Sequence, residues 1–560
     1  MLIRRFLSLS ARLSYVKSPF PDVKVPAVPL TEFIWETVDK WPDKVAIECG
    51  ITGRRYKYGE LRSLSRKFAG SLRRAGLQPG NTIAVIIPNI PEWPIILLGA
   101  IEAGLVVSPA NPTYTADELA KQMKDCAPKA VITLSGMYPT VERALGLTGK
   151  QLKPLVMIAP GIEPDAHVPR DSVSLLDMIQ QSADSPDIRF TGDVHQTVLL
   201  PYSSGTTGLP KGVMLSHWNV VASCAEMNGE PSICLSEPAT GLYYNVKDVA
   251  PAVLPLFHIY GMSVVMLAKM CHGTKLVTLP KFEPNTFFNV LDKNKATILF
   301  IAPPLMLFLN SHPGIKQKHF EATRYILSGA APLGRSDIER FLNRVPSVDV
   351  LQAYGMTETA PGASHRLKGC TKHESVGVPI PNTEIKVTDV DSGVNLPPGK
   401  VGEICIRAPQ VMKGYFNKPE ETEQTIKDGG WLHTGDLGHY DQEGCFYVVD
   451  RLKELIKVKG FQVTSSFAPA ELEEVLRRNP DVLDAAGLRC DRGGPDKRSG
   501  EIPKAFIVPK HSNVSPEDIQ NFVSQKVSSH KQLKGGIEFI DSIPKNASGK
   551  ILRRKLRENK

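Results

Sequence analysis

The run Val198-Leu199-Leu200-Pro201-Tyr202-Ser203-Ser204-Gly205-Thr206-Thr207-Gly208-Leu209-Pro210-Lys211-Gly212 decides how this chain reads. Its apolar start predicts a strand, and the hydroxyl- and glycine-rich stretch that follows predicts a loop at the strand's end. Such a loop can turn backbone N–H groups toward an anion: glycine permits positive φ, and Ser203, Ser204, Thr206 and Thr207 add hydroxyl donors around Gly205. Lys211 adds positive charge, so a triphosphate is the natural guest. The order is not that of a P-loop, in which lysine follows the last glycine and precedes Ser or Thr. A flexible surface linker has the same composition, so the rest of the chain must decide between the two.

Outward from this run, helical and strand patterns alternate. Leu61, Leu64, Phe68 and Leu72 recur at helical spacing, Gly76 and Pro79-Gly80 end that helix, and Thr82 to Ile87 reads as a buried strand. The unit returns with Glu118 to Met123 followed by Ala130 to Thr133. This alternation predicts an α/β fold of mainly parallel sheets flanked by helices. At 560 residues the chain exceeds what one hydrophobic core serves, so two or more domains are expected. The boundary falls near Asp450, where the β-like run Cys445 to Val449 meets the charged Arg451-Leu452-Lys453-Glu454. A large domain over 21–449 and a small α+β domain over 450–560, with a hinge at Asp450, are therefore expected.

Composition narrows the class. Lys and Arg outnumber Asp and Glu by 67 to 58, a formal charge of +9, but the excess is not gathered into one basic tract, so nucleic acid is not the expected partner. The nine cysteines contain no C-x-x-C pair, which argues against a zinc site or a disulfide framework and for a reducing compartment. The strongest apolar stretches, Ile95 to Val107 and Ala296 to Leu309, are interrupted by Glu102 and by Pro303-Pro304, so no transmembrane segment is expected. Residues 1–20 carry Arg4, Arg5, Arg12 and Lys17 with no acid, the composition of a mitochondrial presequence. The mitochondrial matrix is the expected location, with peroxisomal or cytoplasmic residence as alternatives; the ending Glu558-Asn559-Lys560 is not a peroxisomal Ser-Lys-Leu.

Further motifs lie between the loop and the C-terminus. Leu327-Ser328-Gly329-Ala330-Ala331-Pro332-Leu333 reads as a strand end and a turn of small residues, where a flat group can lie close to backbone; tight sheet packing is the plain alternative. Gln352-Ala353-Tyr354-Gly355-Met356-Thr357-Glu358 brings together a ring to cover adenine, a hydroxyl for a phosphate and a carboxylate for Mg²⁺. Taken alone, Glu358 would equally serve as a helix-capping acid. Trp431-Leu432-His433-Thr434-Gly435-Asp436 offers a carboxylate able to accept both ribose hydroxyls, with Arg451 placed to close over it; a plain turn and a surface ion pair are the alternatives. Ile543-Pro544-Lys545-Asn546-Ala547-Ser548-Gly549-Lys550-Ile551 presents Lys550 on a glycine-containing turn, where a solvated lysine is the ordinary case.

Together and in this order, these segments resemble the acyl-adenylate-forming (AMP-binding) superfamily of acyl-CoA synthetases, 4-coumarate–CoA ligases and beetle luciferases. The 4-coumarate–CoA ligase-like enzymes are the nearest in look. The resemblance runs from about Phe33 to Leu556 and includes Phe257-His258-Ile259-Tyr260-Gly261, Glu374-Ser375-Val376-Gly377, Gly402-Glu403-Ile404 and Lys413-Gly414-Tyr415. It implies an ATP-dependent ligation in two steps, acyl-AMP with pyrophosphate first and then acyl-CoA with AMP, using ATP, Mg²⁺, CoA and a carboxylic acid. It also implies residue roles. Lys550 would be the adenylation lysine, Thr357 would touch the α-phosphate, Glu358 would hold the metal, and Ser203 to Lys211 would cradle the phosphates. Asp436 and Arg451 would hold the ribose, while Ala330, Gln352, Ala353 and Tyr354 would border the adenylate. Lys453 and Lys457 would lie at or beyond the hinge, and Gln462 would reach the nucleotide. His258, Tyr260, Gly329 and Ala330 would border the acyl group, with His258 as its gate. Lys281, Lys459 and Gly460 would meet CoA after the small domain rotates.

The sequence departs from the family pattern where Thr464-Ser465-Ser466-Phe467 stand between Val463 and Ala468-Pro469, beside the implied CoA face, and Gly487 to Ser499 is also longer than the pattern. Added loop residues cost little closure entropy. The expectation is intact adenylation with slower CoA transfer. The expected acid is a medium- or long-chain fatty acid, on the presequence and the lack of a peroxisomal ending. An aryl acid, a luciferase-like oxidation and an inactive binding paralogue are the alternatives. Oligomeric state is not legible in the sequence.

Overall fold

The computed structural model describes residues 15–36, 38–149, 155–162, 167–181, 188, 190–203, 210–229, 248–452, 456–457, 466–467, 469–491, 501–527, 532–547 and 549–558. The helix expected around Leu61 runs Tyr58–Arg74, burying Leu61, Phe68 and Leu72, and chain reversal at Gly76 (φ 88°) and Gly80 (φ 82°) leads into strand Thr82–Ile86. It packs closely on helix Trp93–Glu102, where a Cβ on Gly99 would stand 2.7 Å from the Ser65 carbonyl oxygen. No helix among the described residues is long and apolar enough to cross a membrane.

Thr82–Ile86 lies between parallel strands Val106–Pro109 and Ala130–Thr133, with Leu155–Ile158 and Val173–Ser174 beyond the latter. On the other side come Thr197–Leu199 and an antiparallel edge of Lys211–Ser216 and Tyr202–Ser203. A second sheet runs parallel through Ile298–Ile301, Tyr325–Ser328 and Asp349–Gly355, then antiparallel to Gly362–His365. A smaller sheet pairs Val249–Ala252, Lys275–Thr278 and Val45–Cys49 in parallel. The parallel expectation therefore describes the sheet centres, and it fails for the sheet built from Glu384–Thr388, Gly402–Arg407, Trp431–Tyr440 and Phe446–Arg451, which is antiparallel throughout. Antiparallel neighbours need no crossover helix; the chain makes an excursion through helix Pro419–Thr425 between Gly402–Arg407 and Trp431–Tyr440 and otherwise reverses in loops and turns. At one of them Asp441 Oδ1 accepts from the backbone N–H groups of Glu443 and Cys445, so the chain reverses within a few residues.

The small unit has its own core. Helix Pro469–Arg477 packs Leu472 and Leu476 against strands Val482–Asp491 and Glu501–Pro509, with Ile519 and Val523 of helix Pro516–Ser524 on the same side. Asp450, where a hinge is expected, is the penultimate residue of strand Phe446–Arg451 and pairs with Leu437. Of the four added residues, Thr464 and Ser465 lie outside the described residues. Ser466–Phe467 pairs antiparallel with Ile456–Lys457, and an even-numbered addition preserves the alternation of faces beyond it. In the second long segment, strand pairing continues to Asp491 opposite Glu501, and residues 492–500 lie outside the described residues.

Residues 15–20 do not stand apart from the fold. Val16–Lys17 pairs with Glu384–Thr388, Ser18 N–H donates to the Thr383 carbonyl, and the Tyr15 ring meets Trp431 edge-on at 5.7 Å. Removal of a leader over the whole expected 1–20 span would remove these contacts. Accordingly, a chain beginning at Tyr15 should melt above one beginning at Pro21, with about 1–3 kcal/mol between them in denaturant unfolding. Equal stabilities would show that the strand adds nothing.

Candidate active site

The phosphate motif is flanked by an antiparallel pair, Tyr202–Ser203 with Lys211–Ser216, in which Ser203 stands opposite Lys211. Ser204, Gly205, Thr206 and Thr207 lie outside the described residues. The hairpin base is bonded to the second sheet through Glu358, which follows strand Asp349–Gly355 on a single 3₁₀ turn, Thr357–Thr359. Glu358 is buried, and its Oε1 accepts from Ser203 Oγ and from Tyr415 Oη, each at 2.9 Å. Lys211 is also buried; it bonds Glu421 and stands 4.8 Å from the centre of the Tyr415 ring. The hydrogen bond from Lys211 holds the Glu421 carboxyl below the usual carboxylate range. Lys211 thus buttresses the metal-candidate carboxylate through Tyr415 instead of standing open to the loop. Both described hydrogen bonds of Glu358 end on Oε1, which leaves Oε2 for a divalent cation, a hard ion that takes carboxylate oxygen.

Asp436 and Arg451 face each other across paired strands, with Arg451 Nε 3.1 Å from Asp436 Oδ1, while Tyr354 Oη donates to Asp436 Oδ2 at 2.9 Å. The expected ribose carboxylate and its covering arginine are therefore together, and Tyr354 contributes its hydroxyl to them. Gln352 is committed elsewhere: its amide bonds both backbone groups of Leu333 and the His373 carbonyl, so it pins the small-residue turn to the strand. On that turn Ala330 holds φ 72°, a conformation costly for a residue with a Cβ and a mark of functional sites. Ala353 lies on the neighbouring strand, opposite His365.

Lys550 reaches this group from the far end of the chain. Its turn is closed by Asn546, whose backbone N–H donates to the Lys550 carbonyl and whose Oδ1 accepts from Lys550 N–H, both at 2.8 Å, with Gly549 at φ 84° between them. A Cβ on Gly549 would come 2.8 Å from Pro304, so the turn sits directly on the large unit. Behind it Arg553 bonds Glu473 and the Gly487 carbonyl, tying the terminal helix to the small core. Desolvation, then Arg451, pulls the Lys550 ammonium down to about 8, opposed by Asp436 and Glu358. Burial, then Lys550, holds the imidazole of His258 down to about 4, so it is neutral at pH 7. The groups on Lys550, Glu358, Asp436, Arg451 and His258 are thus electrostatic neighbours.

His258 Nδ1 accepts from Tyr260 N–H at 3.2 Å, where the chain enters the π-helical segment Tyr260–Leu267. Tyr260 Oη donates to the Leu327 carbonyl, and its ring lies against Gly329, where a Cβ would stand 3.0 Å from the ring edge. These contacts join the two expected acyl borders. The expected CoA residues do not join them among the described residues: Lys281 forms an exposed ion pair with Glu283, and Lys459 and Gly460 lie outside the described residues. Lys453 and Gln462 do too, and of Lys457 only the backbone is described. Tyr415, Glu421, Glu403 and His433 carry polar contacts around the site and were not singled out from the sequence. The segments containing Tyr415, Glu403 and His433 were legible as motifs, but the Tyr415 and Glu403 partners are over fifty and about thirty residues away.

Residues 34–416 match the AMP-binding enzyme family, and residues 471–550 match the AMP-binding enzyme C-terminal domain. The chain is 37% identical over 552 residues to a 4-coumarate–CoA ligase of Pinus taeda, with 97% of each covered. It is likewise 37% identical over 550 residues to 4-coumarate–CoA ligase CCL1 of Humulus lupulus, covering 97% of this chain and 96% of that one. Among solved structures, ATP-bound MatB from Rhodopseudomonas palustris is similar at TM-score 0.81 and 26% identity, over 95% of this chain and 98% of that one. The anthranilate CoA ligase AuaEII shares the fold at TM-score 0.83 and 23% identity, over 95% and 97%. Matches to both units, in the order that brings Lys550 onto the large one, make the chain a member of the AMP-binding enzyme family and an AMP-forming acid–CoA ligase working through an acyl-adenylate.

Proposed function

We propose that the acid is aromatic, an aryl or arylpropenoic carboxylate, in place of the fatty acid expected from the sequence. The observation that carries this reading is the 37% identity, across nearly the whole chain, to ligases whose acid is 4-coumarate. The acyl border is compatible with it: the Tyr260 ring, the backbone at Gly329 and the left-handed Ala330 offer flat surfaces to a flat group.

In the first step an oxygen of the substrate carboxylate bonds to the α-phosphorus of ATP, and the bond to the β-phosphate oxygen breaks, releasing pyrophosphate. Negative charge meets negative charge there, and the ammonium of Lys550 would neutralise it, in a desolvated site where a fixed charge acts strongly. Asp436 with Arg451 and Tyr354 would hold the ribose. Thr357, buried on the turn before Glu358, would touch the α-phosphate. Mg²⁺, where bound at Glu358 and the phosphates, would supply charge neutralisation on the phosphate oxygens. In the second step the CoA thiolate bonds to the acyl carbon and AMP leaves. With Lys550 seated on the large unit, the arrangement suits the first step, and the second would follow rotation about Asp450.

The test of the substrate is acid-dependent pyrophosphate release, scanned over arylpropenoic, benzoic and C8–C18 fatty acids, with acyl-CoA followed in parallel and oxygen present or removed. Arylpropenoates should give the highest kcat/KM with matching acyl-CoA; a fatty acid at the top would reverse the substrate reading. Pyrophosphate without acyl-CoA, restored by deleting Thr464 to Phe467, would place the fault in the added segment, and oxygen-dependent product would favour a luciferase-like reaction.

The charged form of Lys550 exists below about 8 and is lost above it. The kcat/KM for ATP in pyrophosphate release should therefore fall as pH rises through that value, because this parameter reports free-enzyme ionisations. Lys550→Ala should remove that limb and slow adenylation about 10²- to 10³-fold. A limb that survives the substitution would assign it to another group.

We also propose a mitochondrial location, on the four cations and absence of acids in residues 1–20. A fluorescent reporter fused behind that segment should co-localise with mitochondria, and a diffuse reporter would refute it.

A further inference from the structure

The strand that carries Asp436 does not pair evenly with its neighbour. Glu403 stands opposite Leu437 and Cys405 opposite His433, so Thr434, Gly435 and Asp436 together oppose the single residue Ile404. Bulges of this kind re-aim side chains and leave backbone groups without ladder partners. Gly435 sits at its centre with φ 69°, in the left-handed region where glycine is favoured.

Two sets of bonds hold the bulge. Thr434 Oγ1 donates to the Ile404 carbonyl at 2.7 Å and accepts from Asp436 N–H at 3.1 Å. Glu403 takes the remaining positions: Oε1 accepts from Gly435 N–H at 3.0 Å, and Oε2 accepts from His433 Nδ1 at 2.8 Å. One carboxylate thus grips the residues on either side of Thr434. Although burial opposes it, the bonds from His433 and Gly435 hold the Glu403 carboxyl below the usual range. Bonds to Cys405, then to Glu403, raise His433 to about 9, so the pair is ionic at neutral pH. Cys405 Sγ lies 3.5 Å from His433 Nδ1, and Asp428 lies 3.9 Å from Nε2 on the other side of the ring.

We propose that Glu403 is a positioning residue for the nucleotide: by clamping His433 and Gly435 it fixes the bulge that presents Asp436 to the ribose. It does not touch ATP, and it acts through Asp436. The inference rests on the reading of Asp436 as the ribose carboxylate.

The experiment compares ATP with 2′-deoxy- and 3′-deoxy-ATP in pyrophosphate release by the full chain, for wild type and for Glu403→Ala, Glu403→Gln, Glu403→Asp and Asp436→Ala. Wild type should prefer ATP by about 10- to 100-fold in kcat/KM, the value of hydrogen bonds to a charged acceptor. Glu403→Ala should shrink that preference to about threefold or less, through KM more than kcat. Glu403→Gln, which keeps an oxygen for Gly435, should retain most of it. A loss of packing alone would slow all three nucleotides equally and leave the ratio untouched, and an unchanged ratio in Glu403→Ala overturns the proposal. If that variant does not fold, Glu403→Asp, one methylene short of Gly435, takes its place: a reduced preference supports the proposal and an unchanged one overturns it. If Asp436→Ala keeps the wild-type preference, or wild type has none, the ribose reading itself fails, and the role given to Glu403 fails with it.

Discussion

The bond from which the site is built is the one between Ser203 and the buried carboxylate of Glu358. Burying a carboxylate is costly unless it is hydrogen-bonded, and Glu358 meets that demand at Oε1 with hydroxyls from two separate segments, Ser203 and Tyr415. The requirement joins the phosphate hairpin, the turn after the second sheet and the edge strand Gly414–Tyr415, which pairs with Lys211–Ser216. Lys211 and Glu421 close the chain of contacts behind Tyr415, so the hairpin base is held from both sides. Placement of the Glu358 carboxylate and of the Ser203–Lys211 pair is thereby one structural decision.

Lys550 poses the opposite problem. Its ammonium is brought among Arg451, Asp436 and Glu358 while desolvated; burial, then Arg451, pulls its pKa down, and the two carboxylates oppose that. The small unit delivers the lysine on a rigid element: Asn546 closes its turn, and Arg553 with Glu473 ties the following helix to the small core. Elsewhere the two units also meet where Arg477 stands 3.4 Å from Asp337.

Much of this was legible in the sequence because several chemical groups sit in short, contiguous motifs. The hairpin, the turn bearing Thr357 and Glu358, the Thr434-Gly435-Asp436 segment and the Lys550 turn each declare themselves through glycine, hydroxyl and charge within a few residues. The helix–strand alternation was equally plain, since periodicity is a local property. Gln352 shows the limit of motif reading: it lies in the right segment, yet its amide is spent on Leu333 and His373. Lys211 shows the same limit, its charge being directed at Glu421.

By itself, then, the sequence determined the α/β class, the two-unit organisation and the kinds of group that meet a nucleotide, because these follow from local pattern and composition. Only the tertiary structure decided which of those groups meet. The antiparallel sheet set Asp436 opposite Arg451, its uneven pairing gave Glu403 two donors to hold, and the docking of Lys550 placed a C-terminal turn against Pro304. The physical reason is that register, bulges and burial are settled by long-range packing. No spacing along a chain specifies which distant residue a side chain will find as its hydrogen-bond partner.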